Sequence, residues 1–221
     1  MITGRTFFMK QNSSALGLVQ AALFSALIIL LAFTPFLGYI PLGFTRATII
    51  HIPVIIGSIL LGPKQGAVLG LVFGLTSLVN NTVNPTATSF VFSPFYELGE
   101  IHGGMGSLII CLLPRILTGV VPYYVYRGIS KVRKNKDPLA ALAVAGLSGA
   151  LTNTLLVMNL IFVFFRDAYA SANGVAAESV YGFILTIIGI NGIPEAIVAA
   201  ILTALIGRIL LKANIHKGGA L

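Results

Sequence analysis

Two ionisable side chains interrupt long apolar stretches, and each follows a proline: Leu113-Pro114-Arg115 and Ile193-Pro194-Glu195. A guanidinium is a planar fork of N–H donors that matches a carboxylate in two parallel hydrogen bonds. A carboxylate accepts from hydroxyls and amides, or holds a guanidinium in place. The pair therefore suits capture of a small polar molecule. Arg115 would take a carboxylate or carbonyl, and Glu195 would orient Arg115 or accept from a ligand hydroxyl. A salt bridge that only ties two helices together is the plainer reading, and a ligand can complete such a pair if it is only partly satisfied.

Amides stand near both. Asn191 lies four residues before Glu195, on the same face of any helix that extends that far. Thr152, Asn153 and Asn159 fall in another apolar run. In hydrocarbon an unpaired amide costs several kcal/mol, so these side chains are expected to point inward, toward other helices or toward a ligand. His51, before Ile52-Pro53, reads as a satisfied structural donor more readily than as a ligand contact. Residues 80–96 carry Asn80, Asn81, Asn84, Thr86 and Tyr96 among Phe90, Phe92 and Phe95. A loop this long is uncommon unless it serves a function, and its aromatic content argues against disorder. It reads as a lid: rings to exclude water, amides and hydroxyls to hold something polar. An aromatic belt at a membrane surface is the alternative.

Catalytic signatures are missing. Gly62-Pro63-Lys64-Gln65-Gly66 lacks the spacing of a phosphate-binding loop, and no H-E-x-x-H, G-x-S-x-G or zinc-ligand cluster occurs. Glu97, Glu100 and His102 form the one acid–base cluster that could serve a membrane-embedded enzyme acting on lipid precursors. The single cysteine, Cys111, cannot form an internal disulfide.

The elements that must position these residues are apolar helices. Charged residues make up 9% of the 221-residue chain, against about 25% in soluble proteins. Residues 11–45, 65–96 and 138–165 contain no Asp, Glu, Lys or Arg, and about 20 such residues cross a hydrocarbon core of ~30 Å as a helix. The fold class is therefore all-α: a polytopic membrane protein, a six-transmembrane-helix bundle. Helices are expected at 14–36, 46–62, 64–81, 107–131, 138–165 and 178–212. If Pro114 and Pro194 each open a regular span at its first position, Arg115 and Glu195 sit at helix N-termini; two continuous, proline-kinked helices are the alternative.

Six spans put both termini on one side. With that side cytoplasmic, the inner face holds Arg5, Lys10, Lys64, Arg127, Lys131, Arg133, Lys134, Lys136, Arg208, Lys212 and Lys217, and the outer face only Arg46 and Arg166. This is a strong positive-inside bias, so the net charge of +8 is a topology signal and not a nucleic-acid footprint. The cluster from Arg127 to Lys136 reads as a loop touching anionic lipid. A single membrane-embedded domain fills 1–221, with a cytoplasmic N-terminal segment at 1–12, an outer lid loop at 82–106 and a cytoplasmic tail at 213–221. Ala21, Ala22, Ser25 and Ala26 form a small-x-x-x-small face, suited to internal packing or to a partner membrane subunit. Gly62, Gly66, Gly70 and Gly74 repeat every four residues and predict a tightly packed ridge.

Several of these segments, in this order, resemble the substrate-binding S components of energy-coupling factor (ECF) vitamin transporters. The matching stretches are Ala22 to Ala26, Ile52-Pro53 through Leu61-Gly62-Pro63-Lys64-Gln65-Gly66-Ala67, and Phe73-Gly74. They continue with Leu113-Pro114-Arg115-Ile116-Leu117-Thr118-Gly119 and Asn191-Gly192-Ile193-Pro194-Glu195. Residues 80–95 resemble the pantothenate branch most closely, with pyridoxine and hydroxymethylpyrimidine branches near. The resemblance implies a vitamin pocket near the outer surface, closed by the 82–106 loop; Arg115, Asn153, Asn159, Asn191 and Glu195 are the residues that the reading of the apolar spans offers to line it. It implies a high-affinity binding subunit of an ATP-driven uptake system in a bacterial cell membrane, not an enzyme. Its partners would be a transmembrane coupling subunit (EcfT), docked on the Ala22/Ala26 face, and two ATPase subunits (EcfA and EcfA'). ATP would be used by those partners, with no cofactor and no metal bound here. Toppling in the bilayer would carry the ligand inward. Related S components often have a lysine where Glu195 stands. A gradient-driven carrier working alone is the competing transport reading.

Overall fold

The structure, a computed structural model, describes residues 13–34, 38–42, 45–133 and 137–218. The predicted 1–12 segment, with Arg5 and Lys10, lies outside the described residues, as do Lys134 and Lys136.

Helix α1, Ser13–Phe33, has 21 residues, about 30 Å of rise. Its residues Ile28 and Ala32 are buried, while Leu18, Leu23 and Leu30 are exposed, as suits a helix on the rim of a bundle. The chain then forms a small antiparallel hairpin, β1 (Tyr39–Leu42) with β2 (Thr45–Thr48), in the register Tyr39↔Thr48 to Leu42↔Thr45. The second helix was expected from 46; it begins only at His51. Thr45, Thr48 and Ile49 are β-branched and resist the helix, and the Ile49 N–H donates to Gly38 O at 3.2 Å, closing the ribbon.

Helix α2, His51–Leu61, is only 11 residues long, about 16 Å. Residues His51 to Ile59 are all buried. A helix apolar all round belongs in a core, and α2 touches three neighbouring groups. Val54, with Ile50 just before it, meets Ile28, Leu69 and Phe73; Ile52 and Ile56 meet Ala150, Ala196 and Ala199; Ile55 and Ile59 meet Leu142, Ala145 and Ala204. Gly62 makes the turn at φ 95°, and Pro63 opens α3, Pro63–Val83. Among the described residues five segments are long and apolar enough to cross a membrane: Ala15–Phe33, Pro63–Val83, Met105–Val132, Leu139–Asn173 and Ala177–Ala213. The predicted sixth span, α2, falls short of that length.

The glycine ridge of α3 lies against α4, Met105–Thr118. A Cβ on Gly66 would strike Gly119 O, one on Gly70 would strike Arg115 O, and one on Gly74 would lie 3.1 Å from Cys111 O. Gly62 is outside the ridge and serves the turn. The Gly66→Ala variant is expected to lose about 1–3 kcal/mol through forced separation of backbones, read as a lower melting temperature in detergent. An unchanged melting temperature would show that the helices can part freely.

Pro114 lies inside α4 and does not start it, so the helix is continuous through it, as the alternative reading has it. The break falls later, at Gly119-Val120, before α5, Val121–Val132. Helix α6, Leu139–Asn173, runs 35 residues with a kink at Phe165 (φ −136°, ψ 27°), the residue where the predicted span ends. Arg166 there donates to Ala177 O at 3.1 Å. Helix α7, Val180–Ile187, passes through a π-turn, Ile188–Gly192, into α8, Ile193–Gly218. Pro194 follows the π-turn within one unbroken helical run from Val180, so here too the proline lies inside a continuous helix and does not open a new one. Helices α6 and α8 cross closely because Gly146 has no side chain; a Cβ there would lie 2.5 Å from Ala199 O.

Candidate functional site

At one end of the bundle lie the β1–β2 hairpin, the start of α2, the loop after α3, the start of α4 and the π-turn. The loop, residues 84–104, is built and not slack. It holds a short turn at Ser89–Val91 and a two-stranded ribbon, β3 (Glu97–Leu98) with β4 (Ile101–His102). Ser89 Oγ donates to Asn81 Oδ1 at 2.9 Å and accepts from the Thr86 N–H at 2.8 Å. Asn81 Nδ2 in turn donates to Ser77 O at 2.8 Å. Thr82 and Ser93 hydroxyls meet at 2.7 Å, and Ser107 Oγ donates to Phe90 O at 2.6 Å. Phe90 and Val91 are wholly buried among Ile110, Val157, Ile161 and Val180, and Phe90 meets the Phe165 ring edge-on at 5.8 Å.

This network redistributes the predicted polar residues. Asn81 and Thr86 fold the loop itself. Asn84 Nδ2 donates to Asn80 Oδ1 at 3.2 Å, with Asn80 buried and Asn84 exposed. Tyr96 is half-buried against the aromatic and aliphatic cluster under the loop. Asn159 does not point inward: it is exposed, and its Nδ2 donates to Leu155 O at 2.7 Å. A backbone carbonyl one turn back satisfies the amide without a partner helix, which the inward expectation overlooked. Thr152 does the same, donating to Ser148 O at 2.7 Å.

Arg115 is different. Pro114 has no N–H, so the carbonyl of Ile110, four residues before it, is left free. Arg115 Nη1 donates to that carbonyl at 2.8 Å. The guanidinium carbon stands 5.6 Å from the Phe73 ring centroid and 5.1 Å from that of Phe92, the latter from the loop. Arg115 is 7% exposed, and its Nε is buried without a hydrogen-bond partner among the described residues. The predicted salt bridge with Glu195 is not made. Among the described residues the ion pairs are His102–Glu97 and Arg208–Asp137. Glu195, in the first turn of α8, instead accepts from the Thr48 N–H through Oε1.

Asn191 is buried on the π-turn, and Asn153 is buried on α6 with Oδ1 unpartnered among the described residues. A Cβ on Gly192 would lie 2.8 Å from Thr154 Cγ2, so the π-turn rests on α6 beside Asn153. The structure thus gathers Arg115, Asn153, Asn191 and Glu195 at one end, under a loop that contributes Phe92. The aromatic faces hold the guanidinium cation, whose planar edge can pair with an anionic planar group.

The Glu97/His102 cluster has a structural explanation. His102 Nδ1 and Glu97 Oε1 pair at 3.2 Å across the exposed ribbon. Among the described residues no group of three or more His, Cys, Asp or Glu could hold a metal ion.

The family described as "ECF transporter, substrate-specific component" matches residues 17–207. The chain belongs to that family. It is a bacterial-type membrane transport subunit that binds substrate for a larger ECF assembly, and not an enzyme. A pantothenic acid transporter, PanT, of Lactococcus lactis subsp. cremoris is 37% identical over 208 residues, covering 93% of this chain and 98% of the relative. A pantothenate transporter, PanT, of Leuconostoc mesenteroides subsp. mesenteroides is 31% identical over 212 residues, covering 90% and 94%. The solved S component for biotin from an ECF-type ABC transporter shares the fold, with a TM-score of 0.58 at 19% identity, covering 92% of this chain and 95% of that one.

His51 is what the sequence reading of this S component undervalued. It is 1% exposed, and neither ring nitrogen has a hydrogen-bond partner among the described residues, so the satisfied-donor expectation fails. Phe73 and Phe92, which wall in Arg115, were also not singled out as site residues. Rings over a cation are read from space, and Phe73 and Phe92 sit 19 residues apart in sequence.

Proposed function

We propose that this S component captures pantothenate, with Arg115 holding the carboxylate and Asn153, Asn191 and Glu195 facing the rest of the ligand. The observation that carries the reading is the Arg115 guanidinium, buried between two rings, where among the described residues only Nη1 is engaged in a hydrogen bond to the protein. A buried cation with open donors favours an anion that completes it. The names of both bacterial relatives support the same vitamin. Asn80, near the end of α3, and Tyr96, in the loop itself, fit a ligand-covering role; Asn81, Asn84 and Thr86 act through the loop's shape.

The bundle would count α2, lengthened by the hairpin, as its sixth membrane element, with both termini cytoplasmic in the bacterial cell membrane. The positive-inside bias supports that orientation. Ala22 and Ala26 are exposed, and Ala21 and Ser25 half-exposed, which favours a partner surface over internal packing. Beside them an apolar groove of about 330 Å³ is lined by Leu23, Phe24, Leu27, Leu60 and Leu210. A transmembrane coupling subunit (EcfT) would dock there, with two ATPases (EcfA and EcfA') supplying ATP hydrolysis and no cofactor held by this chain. The loop 84–104 would act as the lid while the subunit reorients.

Calorimetric titration of the detergent-purified protein with pantothenate, pyridoxine, hydroxymethylpyrimidine and folate tests the substrate. Pantothenate alone should bind tightly. Tight binding of one of the others, with none of pantothenate, would replace the assignment.

A further inference from the structure

We infer that His51 is a second ligand-contacting residue, taking the uncharged hydroxyl or amide portion of the substrate. This rests on the binding site proposed above. Its position follows from helix register. A Cβ on Gly149 would lie 2.5 Å from Ile55 Cδ1, and Thr118 Oγ1 reaches Gly149 O at 3.5 Å. Ile55, Gly149 and Thr118 thus share one layer of α2, α6 and α4. One helical turn is three or four residues. A turn toward the hairpin end from Ile55 is His51, from Gly149 is Asn153, and from Thr118 is Arg115. The next layer is therefore built from these three side chains, 1%, 7% and 7% exposed. Each carries a buried atom without a partner among the described residues: both His51 nitrogens, Asn153 Oδ1 and Arg115 Nε.

The layer below is apolar or satisfied, since Thr118 Oγ1 donates to Pro114 O at 2.8 Å. On these three helices the buried atoms without a partner among the described residues lie at the level of Arg115, apart from Ser58 Oγ two turns along α2 from His51. The start of α2 is also tied to the site from above, because Thr48, three residues before His51, gives its N–H to Glu195. A neutral imidazole offers one donor and one acceptor. Burying both unpaired is unfavourable, and Leu or Ile at this position would suit an apolar helix better. Pantothenate carries two hydroxyls and an amide, each able to pair with such a ring, and its carboxylate would be left to Arg115.

The test uses the full-length protein, its His51→Leu and His51→Gln variants, and two ligands: pantothenate and panthenol, in which an alcohol replaces the carboxylate. Both variants should melt, without ligand, at or above the wild-type temperature. His51→Leu should bind each ligand at least about tenfold more weakly, with the pantothenate-to-panthenol ratio unchanged, and His51→Gln should recover part of the loss. Pantothenate affinity within threefold of wild type in His51→Leu would overturn the inference. So would a fall in melting temperature in both variants, which marks a structural histidine. A wild-type protein that binds neither ligand would remove the vitamin assignment itself, and the role of His51 with it.

Discussion

Arg115→Ala is expected to weaken pantothenate binding by on the order of 100-fold or more while the protein stays folded. Truncating one partner of a buried, hydrogen-bonded charge pair costs about 2–5 kcal/mol, and each 1.4 kcal/mol is about tenfold in affinity. Folding should survive because among the described residues the side chain makes one hydrogen bond to protein, to Ile110 O. That carbonyl was already left over by Pro114. Arg115→Lys should recover little, since an ammonium cannot present a planar fork or lie flat between the Phe73 and Phe92 rings. Titration calorimetry with a melting curve for each variant measures both halves. Wild-type affinity in a folded Arg115→Ala protein would remove the carboxylate assignment.

Ala26→Trp is expected to leave pantothenate affinity within about twofold of wild type and to abolish ATP-driven uptake. Ala26 lies exposed on α1, one turn from Ala22, and α1 contributes Ile28 and Ala32, not Ala26, to the buried core. A large ring there leaves the bundle intact and holds a partner helix away, since close approach needs small residues. Proteoliposomes containing the coupling subunit and both ATPases measure uptake, and co-purification measures assembly. Normal uptake by Ala26→Trp would move the docking surface elsewhere. Uptake by this chain alone, without ATPases, would favour the gradient-driven carrier.

Sequence patterns marked this fold best where they carried a local physical cause. Gly62-Pro63 fixed the α2–α3 turn because one residue tolerates φ 95° and the next is preorganised for a first helical turn. The end of the charge-free run at Phe165 coincides with the kink in α6. The hairpin at 39–48 was hidden because its second strand runs directly into the apolar stretch of α2, and periodicity alone does not tell a short strand from the start of a helix. Pro114 could not be assigned to a helix start or a kink from spacing alone. Tertiary packing of Gly70 and Gly74 on α4 accompanies the continuous helix.

The site was legible in part. Arg115 and Glu195 stand out because charge is costly in an apolar stretch. Asn159 misled for an instructive reason: a helix can satisfy an amide with its own carbonyl. Asn81 and Thr86 were read as ligand groups because their types suit that, yet their partners are Ser77 and Ser89. His51 was discounted because a lone histidine usually finds a donor or acceptor nearby. In the fold neither nitrogen finds one among the described residues.

The most direct measurement is a structure of this protein with pantothenate bound. The account predicts the carboxylate within hydrogen-bonding distance of the Arg115 guanidinium, lying between Phe73 and Phe92, with loop 84–104 closed over it. Density for the vitamin at any other place, with Arg115 still bonded only to Ile110 O, would contradict it.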